Sequence, residues 1–146
     1  MKIYISGPLK VLSDREKFHK FYEFLASLCR EFGHEPYLPH QRSDPVLHST
    51  LSYKKVFEMD FENLLNSQQL IAVIDEPSTG VGAEIGIALE RGIKVIALYN
   101  TETEPSRFIL GLLEESPNAI IITYSSAKEC EKKLRHILTE IKAELI

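Results

Sequence analysis

The chain has 146 residues, of which 44% are hydrophobic and 26% charged, and a net charge of -4 at pH 7. This length is enough to bury one core and too short for two ordinary domains, so we expect a single domain over residues 1–146. The acidic balance argues against a protein that holds a nucleic acid polymer by neutralising its phosphates, since that mode requires clustered Lys and Arg. A small anionic ligand remains compatible with it, because a few local donors suffice.

The hydropathy pattern predicts neither a membrane span nor a secretion signal. No window approaches the ~20 apolar residues that cross a bilayer, and the start of the chain lacks the apolar core and cleavage site of a signal peptide. The two cysteines, Cys29 and Cys130, form neither a CxxC motif nor a Cys/His pair. We therefore expect a cytoplasmic protein with no membrane partner and no metal.

Short apolar runs rich in Ile, Val and Leu alternate with longer stretches of helical period, which is the βα pattern. The predicted strands cover residues 2–6, 35–38, 70–74, 94–98 and 119–123. The predicted helices cover residues 14–32, 51–66, 83–91, 106–115 and 126–145. Residues 39–50 carry two prolines and no period, so we expect a long connection there, of the kind that often has a function.

Five βα units predict an α/β fold, a doubly wound, flavodoxin-like or Rossmann-like sheet of five parallel strands in the order 2-1-3-4-5. In that order the chain reverses direction between strands 1 and 3, and ligands bind beyond the carboxyl ends of those strands. Residues typical of helix ends support these boundaries. Gly33 and Gly92 follow last helical turns, where left-handed glycine is favoured, and Ser13 or Asp14 can cap the first helix.

The loop after strand 1 is Ser6-Gly7-Pro8-Leu9-Lys10, a glycine turn followed by a cation. Such a loop can supply backbone donors to a phosphate, with Lys10 as a point charge; a plain turn is the alternative. Tyr4 in strand 1 either aims its hydroxyl at the crevice or is ordinary core. His40, in the connection after strand 2, is either a ligand-binding or a surface histidine.

Asp60 is the first notable carboxylate. It falls in a stripe of spacing three and four with Val56, Phe57, Asn63 and Leu64, which predicts that it lies on the apolar face of its helix. Burying a carboxylate is costly unless it is paired, hydrogen-bonded or protonated. Asp60 therefore either bonds to neighbouring groups at the helix edge, or lines the crevice and hydrogen-bonds a ligand or relays a proton to it.

The second notable carboxylate, Glu84, lies in the segment 76–86, EPSTGVGAEIG, which follows strand 3. Gly80 and Gly82 let the backbone approach a ligand, and the helix that they open directs its free N–H groups and positive dipole end into the crevice. We expect Glu84 in the first turn of that helix, ionised and thus suited to act as a nucleophile. Acidic residues are also common in first turns for dipole reasons alone, and Gly80, Gly82 and Gly86 could form a dinucleotide-binding loop.

These motifs resemble the nucleoside 2-deoxyribosyltransferase family, and within it the 2'-deoxynucleoside 5'-phosphate N-hydrolases, over residues 2–111. The segment 76–86 is similar to the family signature around its nucleophilic glutamate and matches Glu84 to it. Asp60 in MDFENL is similar to the family's active-site aspartate, and Tyr4-Ile5-Ser6-Gly7 to its opening strand and loop. The segment 106–111 resembles the stretch whose serine, here Ser106, contacts the substrate phosphate of the neighbouring subunit in the hydrolases.

The resemblance implies an N-glycosidase that acts on a small nucleotide or nucleoside, in a homodimer and without a metal or organic cofactor. Glu84 would attack the sugar, Asp60 would protonate the leaving base or orient Glu84, and Tyr4 would hydrogen-bond the nucleophile. A further set of residues would hold the 5'-phosphate. Its members are Gly7, Pro8, Leu9, Lys10, Ser78, Gly80, Gly82 and Ser106, and His40 is a further candidate for binding the substrate.

The sequence also departs from the hydrolase pattern. Val11 and Leu12 follow Lys10 where the hydrolases have glycines, and Ala83 stands where an aromatic residue is common. The transferases bring a C-terminal carboxylate into the site, and the charged C-terminal helix here has no obvious equivalent, which favours the hydrolase. Base exchange by a transferase and a nucleotide-binding module without turnover are the alternative functions.

Overall fold

The computed structural model describes residues 1–9 and 14–144. Its five strands are all parallel and lie in the order β2-β1-β3-β4-β5, which confirms the predicted topology. They are β1 (Lys2–Ser6), β2 (Glu35–Tyr37), β3 (Gln69–Val73), β4 (Lys94–Asn100) and β5 (Ala119–Tyr124). The central strand β3 is buried along its whole length, as expected of a parallel sheet covered on both faces.

Helices connect the strands. They are α1 (Arg15–Glu31), α2 (Pro39–Arg42), α3 (Tyr53–Leu65), α4 (Thr79–Glu90), α5 (Arg107–Glu115) and α6 (Ala127–Glu144). Residues 39–50 belong to the predicted long connection, which contains one short helical turn, α2, at its start. Pro39 occupies the first position of α2, where its fixed φ suits a helix and its missing N–H is not needed.

Helix α4 begins at Thr79, four residues before the predicted start. The Ser78 side chain accepts a hydrogen bond from the amide of Val81 at 3.3 Å and so caps the helix. Gly80 and Gly82 therefore lie within the helix rather than in a turn before it. Glu84 is consequently the sixth helical residue and lies in the second turn, so its predicted position in the first turn was wrong.

The predicted helix ends are otherwise close to those in the structure. Gly33 and Gly92 have φ angles of 80° and 71°, the left-handed conformation that glycine adopts without strain. Asp14 caps α1 by accepting from the Lys17 amide at 3.1 Å. The alternative cap, Ser13, lies outside the described residues.

Two hydrophobic layers cover the sheet. Helices α1 and α6 pack against Ile3 and Ile5 on one face, and helices α3, α4 and α5 contribute to the layer that contains Tyr4 on the other. Because side chains alternate along a strand, Ser6 points to the same face as Tyr4. The carboxyl end of β1 thus faces α4. In the described residues, no helix is both long and apolar enough to cross a membrane.

Candidate active site

The side chain of Glu84 accepts hydrogen bonds from two hydroxyl groups of β1. Tyr4 donates to Oε1 at 2.7 Å, and Ser6 donates to Oε2. Burial raises the pKa of Glu84 to about 7; the two hydroxyl donors oppose this rise and the negative charge of Asp60 adds to it. The carboxyl group is therefore fixed at both oxygens and poised between its two protonation states at neutral pH.

This electrostatic environment corrects the expectation that the helix dipole keeps Glu84 ionised. The dipole effect falls off beyond the first turn, and Glu84 lies in the second. Desolvation is the largest influence on its pKa and acts in the opposite direction. Burial therefore favours the protonated form of Glu84 more than the ordinary glutamate environment does.

Tyr4 is both core and site residue. Its side chain is fully buried in the layer between the sheet and α4, while its hydroxyl is bonded to Glu84. Burial, with the nearby charges of Glu84 and Asp60, raises the pKa of Tyr4 far above its usual value. The hydroxyl therefore keeps its proton and acts as a permanent donor to Glu84.

Asp60 is held by hydroxyl groups in a similar way. Tyr37 donates to Oδ1 at 3.0 Å, and the Ser43 hydroxyl lies 2.8 Å from Oδ2 and 3.0 Å from Oδ1. Burial raises the pKa of Asp60 in spite of these two donors. The predicted apolar stripe was wrong at Phe57, which is 58% exposed; Asp60 lies at the edge of the helix, bonded to neighbouring side chains.

Two tyrosines connect the carboxyl groups. Tyr4, bonded to Glu84, packs against Tyr37, bonded to Asp60, with ring centroids 5.3 Å apart. These tyrosines are register partners in the adjacent strands β1 and β2. The charge of Asp60 also raises the pKa of Glu84. Glu84 and Asp60 thus belong to one constellation of two acids and four hydroxyl groups.

An open hollow of about 440 Å³ adjoins Asp60. Its walls come from the first loop, the segment that follows α2, and the amino-terminal half of α3. The lining residues are Leu9, Ser43, Pro45, His48, Ser49, Leu51, Tyr53, Val56, Phe57 and Asp60. This volume is in the range of ligand pockets, which typically combine apolar walls with a few polar groups.

The first loop has little freedom in its described part. A Cβ at Gly7 would lie 2.4 Å from the ring of Tyr22, so the loop passes too close to α1 for a side chain there. The carbonyls of Pro8 and Leu9 accept hydrogen bonds from the Tyr22 hydroxyl and the Arg15 guanidinium. Lys10, the predicted point charge, lies outside the described residues.

Ser78 and Ser106 both line a narrow slot of about 40 Å³, to which Gly82 also contributes. Each serine is a helix cap, Ser78 of α4 and Ser106 of α5. A capping hydroxyl uses its lone pairs for the helix, so its proton is still available to an acceptor. Gly80, in the first turn of α4, is exposed.

His40 was predicted to be either a surface or a ligand-binding histidine, and the structure tests only the first of these. His40 is only 6% exposed, so the surface interpretation was wrong. Its Nε2 lies 2.9 Å from Glu23, and its ring stacks on His19 at 4.8 Å. His40 lines an open cavity with residues of α1, and this cavity shares no lining residue with the hollow at Asp60.

Sequence reasoning did not identify Ser6, Tyr37 and Ser43 as partners of the two acids. Ser6 could have been found, since it follows Tyr4 by two residues and so shares its face of the strand. Tyr37 follows from the register of β1 and β2, which requires the structure. Ser43 lies in a segment whose sequence has no period.

Comparison with known proteins gives a consistent result. The family model described as Nucleoside 2-deoxyribosyltransferase matches residues 3–133. A protein of Thermofilum pendens with the provisional name 2'-deoxynucleoside 5'-phosphate N-hydrolase 1 is 32% identical over 141 residues, which cover 94% of this chain and 95% of that protein. A protein of the same name from Methanococcoides burtonii is 29% identical over 113 residues, covering 76% and 90% of the two chains.

Solved structures share the fold. The CMP N-glycosidase of Clostridium botulinum superposes with a TM-score of 0.73 at 24% identity, over 94% of this chain and 99% of that one. The 2-deoxyribosyltransferase of Bacillus psychrosaccharolyticus superposes with a TM-score of 0.66 at 17% identity, over 92% and 90%. With the family model matching most of its length, the chain belongs to the nucleoside 2-deoxyribosyltransferase family.

Proposed function

We propose that this protein hydrolyses the N-glycosidic bond of 2'-deoxynucleoside 5'-monophosphates, with Glu84 as the nucleophile. The observation that carries the proposal is the pair of hydroxyl donors, Tyr4 and Ser6, that fix both oxygens of Glu84 at the carboxyl end of β1. The names of the Thermofilum and Methanococcoides relatives support this substrate class. Family membership supports chemistry at the bond between sugar and base.

In the first step an oxygen of ionised Glu84 attacks C1' as the bond from C1' to the base nitrogen breaks. The electrons of that bond go to the base, which takes a proton from Asp60. The reactive form of the site therefore carries a proton on Asp60 and none on Glu84, and burial, which raises the pKa of Asp60, favours this form more than an ordinary aspartate would. The products are a deoxyribosyl ester of Glu84 and the free base.

In the second step water attacks C1' and the ester bond to Glu84 breaks, which releases deoxyribose 5-phosphate. Asp60, now ionised, accepts the proton of the attacking water, so both acids return to their starting states. Tyr4 and Ser6 hold Glu84 in one orientation throughout. Water is the only co-reactant that this sequence of steps requires.

The 5'-phosphate has a proposed site between the first loop and the starts of α4 and α5. Ser78 and Ser106 have hydroxyl protons available, and the early residues Gly80 and Gly82 of α4 bring backbone close to a ligand. Gly7, Pro8, Leu9 and Lys10 complete the set. His40, buried against Glu23, would act on the substrate only indirectly.

We further propose that the protein is a homodimer in which Ser106 reaches the phosphate bound by the partner. Ser106 is exposed, and Phe108 beside it is 79% exposed. A large exposed aromatic residue next to a candidate binding residue favours an interface at the start of α5.

A chromatographic assay over a panel of deoxynucleosides and their 5'-monophosphates tests this function. We expect free base and deoxyribose 5-phosphate from monophosphates with water as the acceptor. Release of base only when adenine is added would instead identify a transferase, the activity that the family description names. Nucleotide binding that survives loss of Glu84, with no base released by the intact protein, would identify a binding module.

A further inference from the structure

The guanidinium group of Arg15 joins two segments that both contribute residues to the hollow at Asp60. We propose that the ion pair of Arg15 and Asp44 is a positioning element that fixes the shape of this hollow and thereby sets substrate affinity. The inference rests on the proposed function and goes beyond it, because neither residue contacts Glu84 or lines the hollow itself.

The geometry of the pair is that of a clamp. Nη2 of Arg15 lies 2.6 Å and 2.5 Å from the two oxygens of Asp44, and Nη1 donates to the carbonyl of Leu9 at 2.5 Å. Asp44 is fully buried. One guanidinium group thus holds the first loop to the segment after α2 through charge-assisted hydrogen bonds, which are stronger than neutral ones.

Asp44 in turn organises its own segment. Its Oδ1 accepts from the backbone amides of Val46 at 2.8 Å and Leu47 at 3.0 Å. Burial alone would raise the pKa of Asp44, but the Leu47 amide, Arg15 and the Val46 amide together lower it. His19 Nε2 also lies 3.4 Å from Oδ2. The carboxylate therefore stays ionised at neutral pH and fixes the turn that follows it.

Both clamped segments contribute directly to the hollow. Leu9, whose carbonyl Arg15 holds, lines one wall, and Ser43 and Pro45, on either side of Asp44, line another. Ser43 is also a hydroxyl partner of Asp60. A loss of the clamp would let these walls move apart without removing any group that contacts the substrate.

The chemistry makes the pair hard to replace. Lysine has no planar fork, so it cannot hold both oxygens of Asp44 and the Leu9 carbonyl in the same geometry. Removal of one partner leaves a buried charge without compensation. Displacements of about 1 Å at a site can cost roughly 100-fold in rate, so small movements of the walls have measurable effects.

The test compares Arg15→Lys, Arg15→Ala and Asp44→Asn with wild type. We expect kcat/KM for a deoxynucleoside monophosphate to fall about 10-fold to 100-fold, mainly through KM, with no rescue by lysine. The limb of the pH profile near pH 7, assigned to Glu84, should stay in place. Arg135→Ala is the matched control, because Arg135 also bridges distant helices through Glu31 but lies on α6; its KM should be unchanged.

Calorimetric binding of the same monophosphate, in a Glu84→Gln background, separates this inference from the proposed function. If the wild-type protein binds the monophosphate tightly but shows no turnover, the proposed hydrolase activity is contradicted. The role of the Arg15–Asp44 pair is then tested by binding alone, and Arg15→Ala should weaken the affinity at least about 10-fold. Folded Arg15→Ala and Asp44→Asn proteins that keep KM and affinity within about threefold of wild type would overturn the clamp. An equal loss of kcat/KM and affinity in Arg135→Ala would also overturn the clamp. The absence of any monophosphate binding by the wild-type protein would overturn it as well. If Arg15→Ala does not fold, Asp44→Asn, which keeps the shape of its side chain, decides.

Discussion

At the scale of single residues, the unusual feature is a carboxyl group that two hydroxyl donors stabilise as an anion while burial opposes its ionisation. The balance leaves Glu84 with a pKa of about 7. A carboxylate in such a setting is desolvated and therefore more reactive as a nucleophile. The hydroxyl donors keep a substantial fraction of it in the ionised form. Under the proposed mechanism, the competition between burial and hydrogen bonding at Glu84 would control activity near neutral pH.

The first prediction concerns the pH dependence of kcat/KM. If ionised Glu84 is the nucleophile and protonated Asp60 the acid, kcat/KM should have a bell-shaped pH profile with one limb near the pKa of Glu84, about 7. Tyr4→Phe removes a donor that favours the anion, so this limb should move to higher pH. Initial rates across a buffer series measure both effects.

Tyr124→Phe is the control for this substitution, because the Tyr124 hydroxyl donates to Asp75 rather than to Glu84. Its pH profile should match that of wild type. A limb near pH 7 that stays in place or moves to lower pH in Tyr4→Phe would contradict the assigned role of Tyr4.

The second prediction concerns stability. The folded-state pKa of Glu84 lies above the ordinary value of 4.5, so the folded protein binds more protons than the unfolded chain between about pH 4.5 and 7, and stability falls as pH rises through that window. The full shift corresponds to roughly 3 kcal/mol as an upper bound. Glu84→Gln has no carboxylate to ionise in the buried site. The Tm of this variant minus that of wild type should therefore be larger at about pH 8 than at about pH 5. Thermal unfolding at the two pH values measures the difference, and a pH-independent offset would refute the assignment.

At the scale of elements, the first loop is confined by α1. The Tyr22 ring is buried, and its hydroxyl is bonded to the Pro8 carbonyl, so the ring cannot give way to a methyl group at Gly7. The loop after β1 thus has a fixed path before it reaches the proposed phosphate site.

The third prediction follows from this confinement. Gly7→Ala places a Cβ 2.4 Å from the Tyr22 ring and should lower the free energy of unfolding by about 1–3 kcal/mol, the usual cost of overpacking. Gly86→Ala is the matched control: a Cβ there meets nothing within 4 Å, and alanine in a helix interior should stabilise by about 0.5–1 kcal/mol. Chemical denaturation measures the change in the free energy of unfolding of each variant. Equal changes in the two variants would contradict the account.

The elements also show what sequence can and cannot predict. Strands β1, β3, β4 and β5 were predictable because each is a short, largely apolar run, whereas β2 is only Glu35-Pro36-Tyr37. Gly33 and Gly92 marked helix ends correctly. The start of α4 was misplaced because two glycines resemble a turn, while the Ser78 cap overrides their low helix propensity. Hydroxyl partners such as Tyr37 and Ser43 depend on strand register and tertiary contacts, which local patterns do not contain.

At the scale of the whole molecule, the strand order brings β1 and β3 side by side at the centre of the sheet. The first loop and the start of α4 therefore meet at one edge, although they are about half the chain apart. The same edge carries the start of α5 with Ser106, which lines a narrow slot together with Ser78. A second subunit that covers this edge would complete the proposed phosphate site.

The fourth prediction tests that arrangement. Light scattering should find a dimer at micromolar concentration, and Ser106→Ala should lower kcat/KM about 10-fold or more, as expected for a lost bond to a charged group. Ser126→Ala is the control for loss of a helix cap, because Ser126 accepts from the Glu129 amide at 3.2 Å on α6. A monomer would refute the shared site.

Mixing subunits distinguishes a serine that acts in its own chain from one that acts across the interface. Glu84→Gln and Ser106→Ala proteins are each impaired alone. If Ser106 serves the partner's site, a mixed dimer contains one intact site and activity returns on mixing. If it serves its own chain, every site in the mixture still carries one defect and activity does not return.

The most direct measurement of the central claim is the turnover of a deoxynucleoside monophosphate by Glu84→Ala and Glu84→Gln proteins whose folding has been verified by thermal unfolding. With Glu84 as the nucleophile, we expect kcat to fall by about 10³-fold or more in both variants. Retention of kcat within about tenfold of wild type in either folded variant would contradict the account.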